Sequence, residues 1–258
     1  MEVVLGALAA FVLAAITAPA GVSGAVFLLP VQVSLLGVPS PAVTPTNLLY
    51  NIVATPGALA RFWRTGQLRT PLSGLLLIGT LPGVVLGAVL RVTVLDQPRT
   101  FLVVVACVLV PLGSWLLLRR VAVRDNAPEP PVPRWLIPVA LVVGVVGGVY
   151  GIGGGSILAP VLLAAGFTIA SVSGAALLAT FVTSVAGIAT YQVLAIVLPS
   201  SDPIGPRWAL GLALGIGGLA GSYLGARLQP YVPEVVLRRL LGALAVLIGV
   251  RYLWEGLR

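Results

Sequence analysis

Charged residues leave long stretches of this chain untouched, and that spacing constrains the fold more than any other feature. They gather at Arg61, Arg64 and Arg69, at Arg91, Asp96 and Arg99, from Arg119 to Arg134, and from Arg227 to Arg239. The apolar runs between them are long enough to cross a hydrocarbon core of about 30 Å, which takes roughly 20 helical residues. Of the 258 residues 59% are hydrophobic and only 9% charged, where an ordinary globular chain carries about a quarter charged. Lipid is the solvent that rewards such a balance, and in lipid only elements that satisfy their own backbone groups persist. The expectation is an all-α polytopic membrane protein.

Apolar segments fall at about 3–20, 22–37, 41–60, 71–91, 99–119, 134–150, 153–166, 170–196, 208–227 and 236–254. The second and seventh are short. Residues 2–18 lack the basic start of a secretory signal and read as a first membrane segment. The run RRVAVRDNAPEPPVPR reads as a solvated linker. It divides the chain into a first transmembrane repeat over 1–120, a linker over 121–133 and a second repeat over 134–258. The net charge of +8 belongs to short loops, where positive-inside bias and anionic lipid headgroups account for it, so no nucleic-acid partner is expected. The chain has no histidine and one cysteine, Cys107, within an apolar run. It reads as a small core residue.

The halves match. GVSGAVFLLPVQ from Gly21 lies over GIGGGSILAPVL from Gly151, pairing Gly24 with Gly154 and Pro30 with Pro160. AVTPTNLLYNIVATPG from Ala42 lies over SVSGAALLATFVTSVAG from Ser171, pairing Thr44 with Ser173, Asn51 with Thr180 and Thr55 with Ser184. GVVLGAVLR from Gly83 lies over GSYLGARL from Gly221. Three blocks in one order point to a duplication. Five crossings per half would make the repeats inverted, and four would make them parallel. Arginine counts give ten inside and five outside either way. Short segments broken by Gly and Pro at matching places favour inverted repeats, with the broken helices at the centre. The competing reading is that Pro30 and Pro160 merely kink ordinary spans.

Chemistry concentrates at those breaks. Gly153, Gly154 and Gly155 disfavour a helix by about 1 kcal/mol each against alanine. A helix beginning at Ser156 would aim its free N–H groups into the break, a place suited to an anion. Ser23 and Gly24 occupy the matching stretch, and close helix packing through small residues is the alternative. No βαβ pattern surrounds GIGGG, so it is not a dinucleotide fingerprint. In the next segment Thr44, Asn47, Asn51 and Thr55 share one helical face, and Ser173, Thr180 and Ser184 form the matching stripe. They read as a polar lining between the repeats, against a bland reading in which they bond their own carbonyls or join helices.

No Asp, Glu, Lys or Arg is expected deep in a span, so binding would use neutral donors, and an anionic solute fits better than a cation. No metal ligand set, cofactor motif or nucleophile–base pair is present, and no enzyme is expected. The stretch GVVGGVYGIGGGSILAPVLLAAGF, the polar-studded helix after it and a degenerate N-terminal copy resemble the sulfite exporter TauE/SafE family over essentially the whole chain. AGVSGAVFLLP departs from that pattern, with Ser23 and Ala25 in the glycine run. The resemblance implies a secondary transporter in a bacterial or archaeal inner membrane that moves sulfite or an organosulfur anion. Its partners would be that small anion and membrane lipid, and a homo-oligomer stays open. A non-transporting membrane assembly subunit is the alternative.

Overall fold

The computed structural model describes residues 2–68, 70–95, 133–198 and 204–257, with scattered positions between 103 and 118. Among the described residues there are helices and turns and no strand. The elements are α1 (Glu2–Thr17), α2 (Ala25–Pro30), α3 (Ser40–Arg64), α4 (Pro71–Thr93), α5 (Leu136–Tyr150), α6 (Gly154–Ala164), α7 (Ile169–Val197), α8 (Trp208–Leu228) and α9 (Glu234–Leu257). A short 3-10 turn, Ala18–Ala20, extends α1, and a π turn, Val31–Leu35, extends α2. The apolar segment at 99–119 and the linker at 121–133 lie largely outside the described residues.

Among the described residues four stretches are long and apolar enough to cross a membrane: Val3–Ala20, Pro71–Thr93, Ile169–Val197 and Trp208–Tyr231. The chain is an all-α polytopic membrane protein. Its outer faces carry exposed Leu5, Leu8, Ile78, Leu86, Ile196 and Ile216, while Asn47, Asn51, Thr44, Thr180 and Thr183 are buried. That apolar-out, polar-in distribution suits a lipid surround, where an exposed polar group has no partner. Cys107, expected in the core, is exposed instead. An apolar thiol on a lipid-facing surface incurs no penalty, so an apolar run alone does not fix which side it faces.

Glycines reveal how the helices run, because a missing Cβ lets one backbone touch another. On α8, Gly217, Gly221 and Gly225 stand against the carbonyls of Ala7, Phe11 and Ala15, so α1 and α8 run in the same direction. On α4, Gly79, Gly83 and Gly87 stand in turn against Ala140, Leu141 and Val145, so α4 and α5 also run together. The glycines paired by the sequence match, Gly83 with Gly221 and Gly87 with Gly225, therefore do the same packing work. Gly211 and Gly215 of α8 meet Leu49 and Val53, making α3 parallel to α8. Leu48 of α3 meets Gly187, and Gln67 beyond its end meets Gly174, so α3 and α7 are antiparallel. The opening helix of each half thus lies on the fourth apolar segment of the other half.

Each half begins with a hairpin. Gly6 stands against Leu36 and Gly24 against Ala14, so α2 returns along α1. In the second half Gly154 stands against Gly144, and α6 returns along α5 in the same way. Both turns use a left-handed glycine, Gly21 at φ 76° and Gly151 at φ 70°, a conformation that costs other residues about 1–2 kcal/mol. Pro160 stands inside α6 and Pro30 ends α2. The prolines therefore belong to the return helices, and the glycines make the turns.

Candidate functional site

The two hairpins enter from opposite ends of the molecule. The first tip reaches the end where α7 begins: a Cβ on Gly21 would fall 2.6 Å from the Ser173 Cα. The second reaches the end where α3 begins, and a Cβ on Gly151 would strike the Thr44 carbonyl. Beyond the turns the chains meet at mid-molecule, where the Ser23 N–H donates to Ser156 Oγ at 3.0 Å. Ser156 Oγ also lies 3.1 Å from Thr180 Oγ1. The Ser23 hydroxyl donates to Asn51 Oδ1 in a short contact, and Asn51 Nδ2 donates to the Gly151 carbonyl at 3.2 Å. All four side chains are at least nine-tenths buried.

Of the residues singled out from sequence, Ser23, Asn51, Ser156 and Thr180 thus share one centre, and Gly153 joins them. A Cβ there would fall 2.7 Å from the Thr180 methyl, and its φ of 73° suits glycine. The helix after the break starts at Gly154, two residues before the expected Ser156. Gly154 and Gly155 therefore lie in its first turn, where their lack of a side chain serves packing. A Cβ on Gly154 would meet the Thr80 side chain at 2.6 Å, and one on Gly155 would strike the Ala176 carbonyl. The Gly154 N–H approaches Thr183 Oγ1 at 3.4 Å. Gly24 stands equally close to the Tyr50 hydroxyl, with only 2.6 Å available for a Cβ.

Three other candidates sit away from the centre. Thr44 Oγ1 donates to the Val149 carbonyl at 3.0 Å, beside the second tip. Ser173 Oγ donates to the Pro19 carbonyl at 3.0 Å, beside the first. Asn47 bridges the hairpins, donating to the Ala25 carbonyl at 3.0 Å and, more weakly, the Tyr150 carbonyl at 3.5 Å. It accepts from Gln32 Nε2 at 2.8 Å. Thr55 Oγ1 bonds back to the Asn51 carbonyl within its own helix. The polar stripe of α3 is therefore divided in depth: Thr44 secures a tip, Asn47 joins the hairpins, Asn51 serves the centre, and Thr55 satisfies itself.

Two features escaped the sequence reading. Gln32, in the short return segment, is fully buried and partnered with Asn47; its place one helical turn before the end of an apolar run was the available signal. Arg91 stands at the edge of a span, as its place in the sequence suggests, but it is buried there. It lies in the last turn of α4 and is 1% exposed, with Nη1 donating to the Leu95 carbonyl. Its guanidinium is within electrostatic range of the Tyr150 and Tyr191 phenols. From sequence it is one more arginine at the edge of a span, and only the packing of α5 and α7 around that edge buries it. Gln229, just past α8, donates from Nε2 to the Pro19 carbonyl at 2.7 Å and to Ser173 Oγ at 3.0 Å.

Among the described residues no cluster of His, Cys, Asp and Glu could hold a metal. The site consists of neutral hydroxyls, amides and backbone groups within an apolar shell. That chemistry can take up a small solute by hydrogen bonds. Comparison with curated proteins gives no match. A family model described as Sulfite exporter TauE/SafE matches residues 6–252, and with that match over nearly its whole length the chain belongs to the sulfite exporter TauE/SafE family.

Proposed function

We propose that this multi-pass membrane protein is a secondary transporter for a small anion, held between the two hairpins where Ser23 meets Ser156. The family is one of membrane transporters, and a small solute follows from that. The anion is the finer reading. The observation that carries it is the contact of Ser23 N–H with Ser156 Oγ, in a buried centre furnished with neutral donors. Backbone N–H groups and hydroxyls are the groups that bind an anion without a fixed charge. An anion seated there would take the Ser23 N–H and the Ser156 and Thr180 hydroxyls, which now bond to one another. The family's description favours sulfite, and an organosulfur anion such as sulfoacetate has the same acceptor oxygens.

The halves are read as inverted copies, in support of alternating access. The matched helices α3 and α7 run antiparallel, and the two hairpins point to opposite ends. Residence in a bacterial or archaeal inner membrane, and contact with its lipid, belong to the same reading. The test is thermal stability of the purified protein against sulfite, thiosulfate, sulfate, sulfoacetate and simple carboxylates. A ligand at a hundred times its Kd stabilises the folded state by about 2.7 kcal/mol. A rise in Tm with a sulfur anion, abolished in Ser156→Ala, is the expected result. No shift with any anion overturns the anion assignment.

A further inference from the structure

Hydroxyl side chains inside apolar helices commonly bond back to the carbonyl one turn earlier. Along α7, Thr183 does so to the Ala179 carbonyl at 2.6 Å and Thr190 to the Ala186 carbonyl at 2.9 Å. In the other half Thr55, the match of Ser184, does so to the Asn51 carbonyl at 2.7 Å. Ser184 departs from that habit. Its side chain is 0% exposed, and its hydroxyl has no hydrogen-bond partner among the described residues. A buried hydroxyl without a bond destabilises the fold, and alanine would pack in its place without that penalty. Packing alone therefore does not account for an oxygen at position 184.

The neighbours on its face of α7 show where Ser184 lies. Residues 180, 184 and 187 are four and three apart, so they share one helical face. One turn before Ser184, Thr180 meets Ser156 at the centre. One turn after it, a Cβ on Gly187 would fall 2.8 Å from the Leu48 side chain of α3. Because α3 and α7 run antiparallel, the step back from Gly187 to Ser184 corresponds to the step forward from Leu48 to Asn51, which accepts from Ser23. Ser184 is thus bracketed by groups of the centre on both helices. Its Cβ and that of Thr180 are about 5–6 Å apart, the spacing of one helical turn. One small oxyanion can span two hydroxyls so placed.

We propose that Ser184 is a further anion-binding residue of this site: its hydroxyl donates to the solute held by Ser23, Ser156 and Thr180. This rests on the anion reading above. The other groups must give up a present bond to take the solute, so each gains only the difference between two partners. Ser184 has no bond to give up, and its contribution is gained in full.

The experiment is titration of the purified protein with sulfite, thiosulfate, sulfate and sulfoacetate, read as the rise in Tm with anion concentration. Ser184→Ala without ligand should melt no lower than the wild type, since no bond is lost. The Kd of the anion that stabilises the wild type should rise about tenfold in that variant, the scale of one hydrogen bond to a charged group. Thr55→Val, which removes the self-bonded hydroxyl at the matched position, should raise it much less. A purely structural Ser184 would lower the Tm without ligand and leave the Kd alone. An unchanged Kd in Ser184→Ala, or an equal rise in Thr55→Val, overturns the proposal. Should Ser184→Ala fail to fold, Ser184→Cys keeps a small side chain with only a weak donor, and an unchanged Kd there overturns it instead. No stabilisation of the wild type by any of the four anions is a different failure: it removes the anion reading and this proposal with it.

Discussion

The two hairpins solve the same geometric problem with different chemistry. Both turn on a left-handed glycine, Gly21 and Gly151, and both press that turn against a hydroxyl residue, Ser173 and Thr44. At the next matched position they part. The first hairpin has Ser23, whose hydroxyl bonds Asn51, while the second has Gly153, which lies against Thr180. At that position one half brings a polar side chain to the centre, and the other brings its backbone close enough that no side chain fits. The two turns are alike, and the contacts at the centre differ.

Six substitutions, in four tests, break or sharpen that comparison. The largest effects belong to the shared turns: Gly21→Ala and Gly151→Ala each add about 1–2 kcal/mol of left-handed strain and a backbone collision worth about 1–3 kcal/mol more. Both should lower the Tm of purified protein by similar amounts, and a tolerant member of the pair would end the equivalence of the turns. Next comes the divergent centre. Asn51→Leu strands the Ser23 hydroxyl and the Gly151 carbonyl, about 1–3 kcal/mol for each buried group, whereas Thr180→Val removes one hydroxyl partner, about 1 kcal/mol. Equal losses in a denaturation series would show that the halves share the load after all.

Ser23→Gly makes the first hairpin resemble the second. It should cost about 1 kcal/mol through the lost bond to Asn51 and leave a folded, monodisperse protein that sulfite still stabilises, because the N–H at position 23 remains. Abolished stabilisation would place the anion on the Ser23 hydroxyl rather than on its N–H. The smallest effect is a control outside both hairpins: Gly74 of α4 has nothing among the described residues within 4 Å of an added Cβ. Gly74→Ala should therefore raise stability by about 0.5–1 kcal/mol through backbone entropy, and a loss there would mean that α4 packs against something undescribed.

The helices were legible because apolar runs and charged breaks are written along the chain, and the observed ends differ from expectation by only a few residues. The glycine turns were legible too, though not which glycines turn. Gly151 and Gly153 carry the positive φ, while Gly154 and Gly155 serve packing against Thr80 and Ala176. That division depends on neighbours brought in from distant sequence. The polar stripe gave a face but not a depth. Thr44 and Asn51 share a face, yet seven residues of helix separate them by about 10 Å, which puts one at a tip and the other at the centre. The burial of Arg91 was not legible because burial at the end of a helix is decided by other helices. The crossing of the halves, α1 on α8 and α4 on α5, has no local signature either.

That crossing has a consequence for how the protein is made. The surface on which α1 docks does not exist until residues 208–228 have been synthesised. At about 5–20 residues per second, α1 waits on the order of ten seconds or more for its partner. Through that interval its only protein neighbour already made is the short return helix α2 of its own hairpin, so insertion and full assembly must be separate stages. A chain ended before α8 is expected to leave α1 inserted but undocked. A crosslink between positions 11 and 221, formed in the full chain only after α8 has emerged, would record the moment when the first helix made becomes one of the last to find its place.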